Sequence, residues 1–315
     1  MSLPGPLVAI VGPTASGKSE LAERIASELG SSVVSVDAMQ VYRGMDIGTA
    51  KVPEEQRKCP LLMVDVADID DDYSVKLYQR DARICVDRLL SGGRVPILCG
   101  GTGLYLNAIV SDMRFPAGEV RGERRIAYER QLERDGADAL YELLRLRDPE
   151  SAALIHPNNS RRVIRALEML DEGTSYAVHH EGLKQLRPLY DVRIWGIDID
   201  RQELYRRIEL RVDMMFEHGL VQEVSRLKEQ GLADTKTASQ AIGYKEVLEA
   251  LDGHVTMERA REMVKTRTRR YAKRQISWFK NDNRVRWIHS SDVDEAATRI
   301  VLDLLRPNEI SHEES

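Results

Sequence analysis

Residues Gly12 to Ser19, in the order G-P-T-A-S-G-K-S, carry the strongest chemical signal in this chain. They match the pattern G-x-x-x-x-G-K-[ST] and stand between an apolar run and an amphipathic one. Glycines there let the backbone curl until its amides converge on phosphate oxygens, and the N-terminus of the following helix favours negative charge. Lys18 supplies a cation, and the Ser19 hydroxyl is a ligand type for Mg²⁺. A tight glycine turn beside a solvated lysine is the bland alternative, and it leaves the flanking strand and helix unexplained. The motif does not say which phosphate compound is held.

Two more segments offer reactive groups at the ends of apolar runs. Asp37 follows V-V-S-V and opens D-A-M-Q-V-Y-R-G-M-D-I-G-T-A-K. Its carboxylate could accept a proton from a nucleophile, hold a metal through water, or only cap a turn. Asp65 is a weaker candidate for a carboxylate on the metal side. Gly100 to Tyr105, G-G-T-G-L-Y, brings the Thr102 hydroxyl and free amides to a strand end. Standing alone, it reads as a strand-to-helix connection.

These groups need a scaffold, and the first hundred residues describe one. Short apolar runs, Leu7 to Val11, Val33 to Val36, Leu61 to Val66 and Val95 to Cys99, alternate with helical patterns after Gly17 and Ser74. That is the α/β pattern of a parallel sheet covered on both faces, whose ligands sit outside the carboxyl ends of the strands. The strand signal stops from about Ala117 to Arg187, where helices are expected over E-V-R-G-E-R-R-I-A-Y-E-R-Q-L-E-R and around Ala139 and Arg161. Val192 to Ile199 returns to the sheet, helices follow near Arg201, Leu220, Ala238 and Thr256, and Arg284 to Ile288 is the last strand. The expected organisation is a core of residues 1–116 and 188–306, an inserted all-helical domain of residues 117–187, and a loose tail of residues 307–315.

With 315 residues, the chain is long enough for one large domain or two unequal ones. No apolar run approaches the roughly 20 residues of a membrane span, and the N-terminus lacks the pattern of an export signal. Cys59, Cys85 and Cys99 form no C-x-x-C pair and read as reduced thiols, so a cytoplasmic location is expected. The net charge of -5 argues against nucleic acid as a partner, but the charges are segregated. Between Arg259 and Arg274 lie eight basic side chains and one acidic one, and Arg161, Arg162 and Arg165 form a second basic cluster.

Six blocks in order carry a resemblance: G-P-T-A-S-G-K-S, D-A-M-Q-V-Y-R-G-M-D-I-G-T-A-K, G-G-T-G-L-Y, I-H-P-N-N-S-R-R-V-I-R-A-L-E, S-Q-A-I-G-Y-K-E and T-R-R-Y-A-K-R-Q-I-S-W-F-K. Over roughly residues 7 to 290 the chain resembles the tRNA dimethylallyltransferases, in the short bacterial form without an appended zinc finger. The resemblance implies a fold like that of the P-loop NTPases and transfer of a dimethylallyl group from its diphosphate to the exocyclic amine of the adenosine 3′-adjacent to the anticodon. It further implies that the partners are dimethylallyl diphosphate and a tRNA anticodon stem-loop, with Mg²⁺ brought by Ser19; a monomer is expected, though sequence alone does not fix the oligomeric state.

Residue by residue, the resemblance gives the diphosphate to Gly12, Pro13, Thr14, Ala15, Ser16, Gly17, Lys18 and Ser19. Asp37 matches the general base, and Thr14 and Arg211 match residues that stabilise the leaving diphosphate. Without the motif, Arg211 would read as a surface ion pair with Glu209 or Asp213. Contacts to tRNA carry over to Asp37, Ala38, Met39, Gln40, Thr102 and Arg121. They carry over also to Arg161, Arg162, Val163, Ile164 and Arg165, and to Gln240, Ala241, Ile242, Gly243, Tyr244 and Lys245. Tyr271, Trp278 and Phe279 have the chemistry to stack on bases, though core packing is the preferred reading for Trp278 and Phe279.

The chain departs from the family pattern at Ala38, where serine is usual, and at Leu61 and Leu62, where a histidine pair is usual. Three rival readings remain: a small-molecule kinase, an enzyme that prenylates free adenine nucleotides, and a non-catalytic RNA-binding switch. The helical insertion and the basic clusters weigh against the first two, and the third leaves Asp37, Thr14 and Arg211 without roles.

Overall fold

The computed structural model describes residues 4–115, 122–183, 186–289 and 293–305. Six strands form one parallel sheet: β1 (Leu7–Val11), β2 (Val33–Val36), β3 (Leu61–Leu62), β4 (Ile97–Gly100), β5 (Val192–Asp198) and β6 (Val285–His289). Their order across the sheet is β3-β2-β4-β1-β5-β6. The expected α/β architecture, a parallel sheet flanked by helices, is what the chain adopts.

Alternation along β1 shows why the strands read as continuous apolar runs. Leu7, Ala9 and Val11 belong to one core with the helices α2 (Val75–Ser91) and α3 (Gly103–Val110). Val8 and Ile10 belong to another with α1 (Lys18–Glu28) and α12 (Val293–Leu305). Both faces are covered, so both sets of side chains must be apolar.

Register then sets the site. Val11 lies beside Gly100 and Gly196, and Val36 lies beside Gly100. The residues that follow, Gly12, Asp37, Gly101 and Ile197, therefore emerge together at the carboxyl edge, where the strand order reverses around β1.

Two strands are shorter than their apolar runs. β3 stops at Leu62 because Met63 and Asp65 take positive φ values of 62° and 55°, which extended backbone does not allow. β4 begins at Ile97 because Pro96 has no N–H to give the ladder; its carbonyl accepts from Val8 instead, at 3.1 Å.

The chain divides into two compact units, Met1–Val110 with Leu189–Ser315, and Ser111–Pro188. The breaks expected from the sequence are at residues 116/117 and 187/188. The smaller unit is helical: α4 (Glu123–Arg147), α5 (Pro149–Ala153), α6 (Ser160–Asp171) and α7 (Tyr176–Gly182). Leu140, Leu144, Val163, Ile164 and Leu167 form its core. The two helices expected around residues 120 and 139 meet inside α4 at Gly136, whose φ of 84° and ψ of 171° break the helical path. In the larger unit, α8 (Arg201–Glu217), α9 (Leu220–Glu229), α10 (Tyr244–Leu251) and α11 (Met257–Lys280) complete the fold. No described helix is long and apolar enough to cross a membrane. Cys59 and Cys85 are half-buried, Cys99 is buried, and all three are free.

Candidate active site

The phosphate loop joins β1 to α1 by three unusual backbone conformations. Gly12, Ala15 and Gly17 have φ values of 152°, 64° and 90°. Gly17 caps α1 without a side-chain hydrogen bond, so the first amides of the helix face the loop free of a protein cap. The Ser16 hydroxyl is buried and has no partner, as expected of a group reserved for a ligand or water. Ser19 is exposed beside it at the start of α1.

Two cations meet here. Lys18 donates to Pro13 O at 3.1 Å and makes no ion pair among the described residues. Arg211, on α8, has neither a hydrogen bond nor an ion pair there. The carboxylates beside it in sequence are committed elsewhere: Glu209 binds Arg269 at 2.5 Å, and Asp213 binds Arg261 and Lys265 at 2.8 and 2.9 Å. The alternative reading of Arg211 as a surface ion pair is thereby excluded. Surrounding protein lowers the pKa of both cations; their mutual repulsion lowers Lys18 further, and Asp37 opposes the shift in each. Lys18, Arg211 and Asp37 thus share one electrostatic neighbourhood, in which two cations face one carboxylate.

Asp37 begins a turn in which its Oδ1 accepts from Met39 N–H at 2.8 Å and Gln40 N–H at 3.3 Å. It caps that turn and still acts on Lys18 and Arg211 by its charge, so the two readings of Asp37 are compatible. The Gln40 side chain is held by Ser35 and by Thr49 O. Ala38 and Met39 pack against the core.

The loop 46–51 behind this turn is bound by two buried charges. Glu223 accepts the N–H groups of Asp46, Ile47 and Gly48 at 3.1, 2.8 and 3.2 Å, and the Tyr244 hydroxyl at 2.6 Å. Lys51 reaches Tyr42 O, Asp46 and Asp65 at 2.5, 2.9 and 2.5 Å. Asp65 is therefore the counter-ion of a buried lysine. Tyr244 is fully buried with its hydroxyl on a carboxylate, so it cannot stack on a base; burial and Glu223 raise its pKa steeply.

Gly100 to Gly103 is not a slack connection. A Cβ on Gly100 would lie 2.0 Å from Val36 O, one on Gly101 1.9 Å from Gln275 Nε2, and one on Gly103 1.9 Å from Trp278 Nε1. Glycine is needed because β2 and α11 press directly on this segment. The Thr102 hydroxyl is buried without a good hydrogen bond. Tyr271 approaches it from α11; burial first, then Asp37, pushes the phenol up to about 12, so it stays protonated at neutral pH.

The remaining candidates divide by exposure. In the smaller unit, Arg161 and Arg162 are exposed on α6 and Arg165 is half-buried near Glu168, while Val163 and Ile164 are core residues whose side chains face away from solvent. Gln240 is exposed, Ile242 and Lys245 are half-buried, and Ala241 and Gly243 are buried. On α11, Arg267 and Arg269 pair with Glu246 and Glu209, whereas Arg270, Lys273 and Arg274 are exposed without an ion pair among the described residues. Phe279 is core, as its pattern suggests; Trp278, expected in the core as well, is 46% exposed over Gly103. Leu61 and Leu62 form the edge strand β3. Arg121 and the tail 307–315 lie outside the described residues.

Gln275, Glu223 and Lys51 were not singled out by sequence. Gln275 and Glu223 leave one trace, a polar residue on the buried stripe of an amphipathic helix: Ala272, Gln275 and Phe279 on α11, and Leu220, Glu223 and Leu227 on α9.

The site joins an anion cradle, two cations without an ion pair among the described residues and a carboxylate, which suits displacement of a diphosphate leaving group. Comparisons with known proteins agree with that chemistry. The family described as IPP transferase matches residues 40–282, and that described as isopentenyl transferase matches residues 5–60. A tRNA dimethylallyltransferase of Parafrankia sp. (strain EAN1pec) is 46% identical over 299 residues, covering 94% of this chain and 92% of the relative. One of Bacillus subtilis (strain 168) is 42% identical over 283 residues, 90% of each. Among solved structures, the full-length tRNA isopentenylpyrophosphate transferase of Bacillus halodurans is 41% identical, with a TM-score of 0.69 and 95% of each chain covered. A eukaryotic dimethylallyltransferase caught acting on tRNA is 26% identical, with a TM-score of 0.79, over 96% of this chain and 80% of its own.

Proposed function

The chain belongs to the tRNA dimethylallyltransferase family, and from that membership we infer that it transfers a dimethylallyl group from dimethylallyl diphosphate to the exocyclic amine of the adenosine 3′-adjacent to the anticodon. The observation that carries the reading is the pair of half-buried cations, Lys18 and Arg211, that lie near Asp37 and make no ion pair among the described residues. A diphosphate supplies the missing negative charge.

In the proposed step, the amine nitrogen attacks the first carbon of the prenyl group, the carbon–oxygen bond breaks, and diphosphate leaves with the electron pair. The phosphate loop, Lys18, Arg211 and Thr14 stabilise that leaving charge, and Asp37 takes the proton from the amine. Tyr271, neutral at working pH, offers a hydroxyl donor beside Asp37 and Thr102. The target base must leave its stack to reach this cleft, which costs a few kcal/mol.

Among the described residues no cluster of three metal-ligating side chains exists, so a cation caged by protein does not suit the site. The Ser19 hydroxyl would instead be the protein's one ligand to a largely hydrated Mg²⁺. Such an ion would supply positive charge to the diphosphate.

Arg161, Arg162, Arg270, Lys273 and Arg274 are proposed to meet the RNA backbone; their exposure without an ion pair among the described residues supports this. Gln240, Ile242 and Lys245 are proposed at the anticodon loop, where Val163, Ile164, Ala241 and Gly243 could touch RNA through backbone only. The chain is proposed to act as a cytoplasmic monomer, since one chain carries every group the step requires.

Transfer of radiolabelled dimethylallyl from its diphosphate should be measured with unmodified tRNA and with AMP as acceptors, while ATP hydrolysis is followed in parallel. Label in tRNA alone is the expected result. Label in AMP alone would mark a free-nucleotide enzyme, and ATP turnover without prenyl transfer would mark a kinase.

A further inference from the structure

On α11 the buried positions Ala260, Val264, Ala272 and Phe279 are apolar, and the remaining one is Gln275, 5% exposed. A buried amide must find partners, and this one finds them on two different loops. Its Oε1 accepts the Thr14 N–H at 2.9 Å, and its Nε2 donates to Gly101 O at 3.0 Å. The orientation follows from the partners, since a backbone N–H requires the carbonyl end and a backbone oxygen requires the amide end.

The clamp fits closely. A Cβ on Gly101 would stand 1.9 Å from Nε2, so the glycine exists to admit the amide. The Thr14 N–H is spent on protein while the Ser16 hydroxyl in the same loop is left free. One side chain therefore ties the phosphate loop to the Gly101–Thr102 turn. It does so from the helix that also carries the exposed cations Arg270, Lys273 and Arg274.

We propose that Gln275 is a positioning residue for prenyl transfer, holding Thr14 and the Gly101–Thr102 turn in the one geometry that puts leaving diphosphate and acceptor in line. The proposal rests on the reaction assigned above. Displacement is sensitive to placement, and a shift of about 1 Å in a positioned group can cost on the order of 10²-fold in rate. A side chain that merely filled the core would not show this sensitivity.

The test is a double-mutant cycle between Gln275→Ala and Gly101→Ala, with kcat, the KM for tRNA, the Kd for inorganic diphosphate with Mg²⁺, and the Tm measured for each protein. Gln275→Ala should lower kcat about 10- to 100-fold and weaken diphosphate binding, while the KM for tRNA stays within about threefold. Gly101→Ala should do the same alone and add little in the Gln275→Ala background, because the methyl then occupies the vacated space. Additive effects, a loss confined to the KM for tRNA, or a loss matching the fraction unfolded at assay temperature would each overturn the proposal. Absence of prenyl transfer in the parent protein would sink the reaction assignment instead, and diphosphate binding by the same four proteins would still decide whether the clamp shapes the loop.

Discussion

Glu223 offers the severest check on how this site is held. It lies on α9, away from the phosphate loop, yet its carboxylate accepts three consecutive backbone N–H groups and one phenol. Hydrogen bonds to a charged acceptor contribute about 1.5–3 kcal/mol each, and truncation leaves buried donors unpaired. In Glu223→Ala, water entering the vacated space would satisfy some of the four donors. If two stay unpaired, the net loss is about 3–5 kcal/mol. At about 2–4 °C per kcal/mol for domains of this size, Tm should fall by about 6–20 °C. Glu223→Gln should lie between, since one amide oxygen replaces two carboxylate oxygens and the NH₂ opposes the remaining donors. Because loop 46–51 follows directly on the Asp37 turn, turnover by the folded fraction should also drop. Calorimetry of the three proteins, with turnover measured well below each Tm, checks both parts. If both variants melt within about 2 °C of the parent, the loop is not held by this carboxylate and the reasoning fails.

Replacing Asp37 with asparagine keeps an oxygen for the Met39 and Gln40 amides but removes the base. Turnover should fall about 10²- to 10⁴-fold while the Kd for an anticodon stem-loop, read by fluorescence anisotropy, changes little; equal loss of both would make Asp37 an RNA-positioning group. Arg211→Gln should cost about 10²- to 10³-fold in kcat and weaken inorganic diphosphate as a competitor of the donor, and a rate within tenfold of the parent would remove Arg211 from the leaving-group charge. Burial lowers the Lys18 pKa in the free protein, so between that value and the ordinary lysine range the unfolded chain binds more protons than the folded one. Stability of the ligand-free protein should therefore rise with pH through that window relative to Lys18→Met, and diphosphate affinity should fall through it; thermal melts and calorimetric titration at alkaline pH report the two slopes, and equal melting slopes for the two proteins would contradict the shift.

Much of the scaffold was legible because it is written locally. The strands β1 and β2 fall where their apolar runs do, and α9 and α11 begin within a residue of where their patterns do. β3 shows the limit: Leu61 to Val66 is apolar enough for a strand, but left-handed backbone at Met63 and Asp65 ends it, and neither is a glycine that would announce such a turn. Trp278 misleads in the opposite sense. Its helical spacing suits the core, yet the close approach of α11 to Gly103 holds the indole at the surface.

The sequence by itself determined the phosphate loop, the α/β plan and the family. Each depends on contiguous residues: the spacing of two glycines and a lysine, the period of apolar side chains, the order of six motifs. Only the tertiary structure decided how the polar groups are distributed among partners. Glu209 and Asp213 flank Arg211 in sequence, and nothing local says that they turn to α11 and leave Arg211 without an ion pair among the described residues. Likewise, a glutamine in a basic helix and a tyrosine in a tRNA-binding motif look solvent-facing until packing turns Gln275 onto the loops and Tyr244 onto Glu223. The physical reason is common to all of these. Backbone conformation is settled by neighbours along the chain, whereas a charge or an amide is paired by whatever packing brings across from elsewhere.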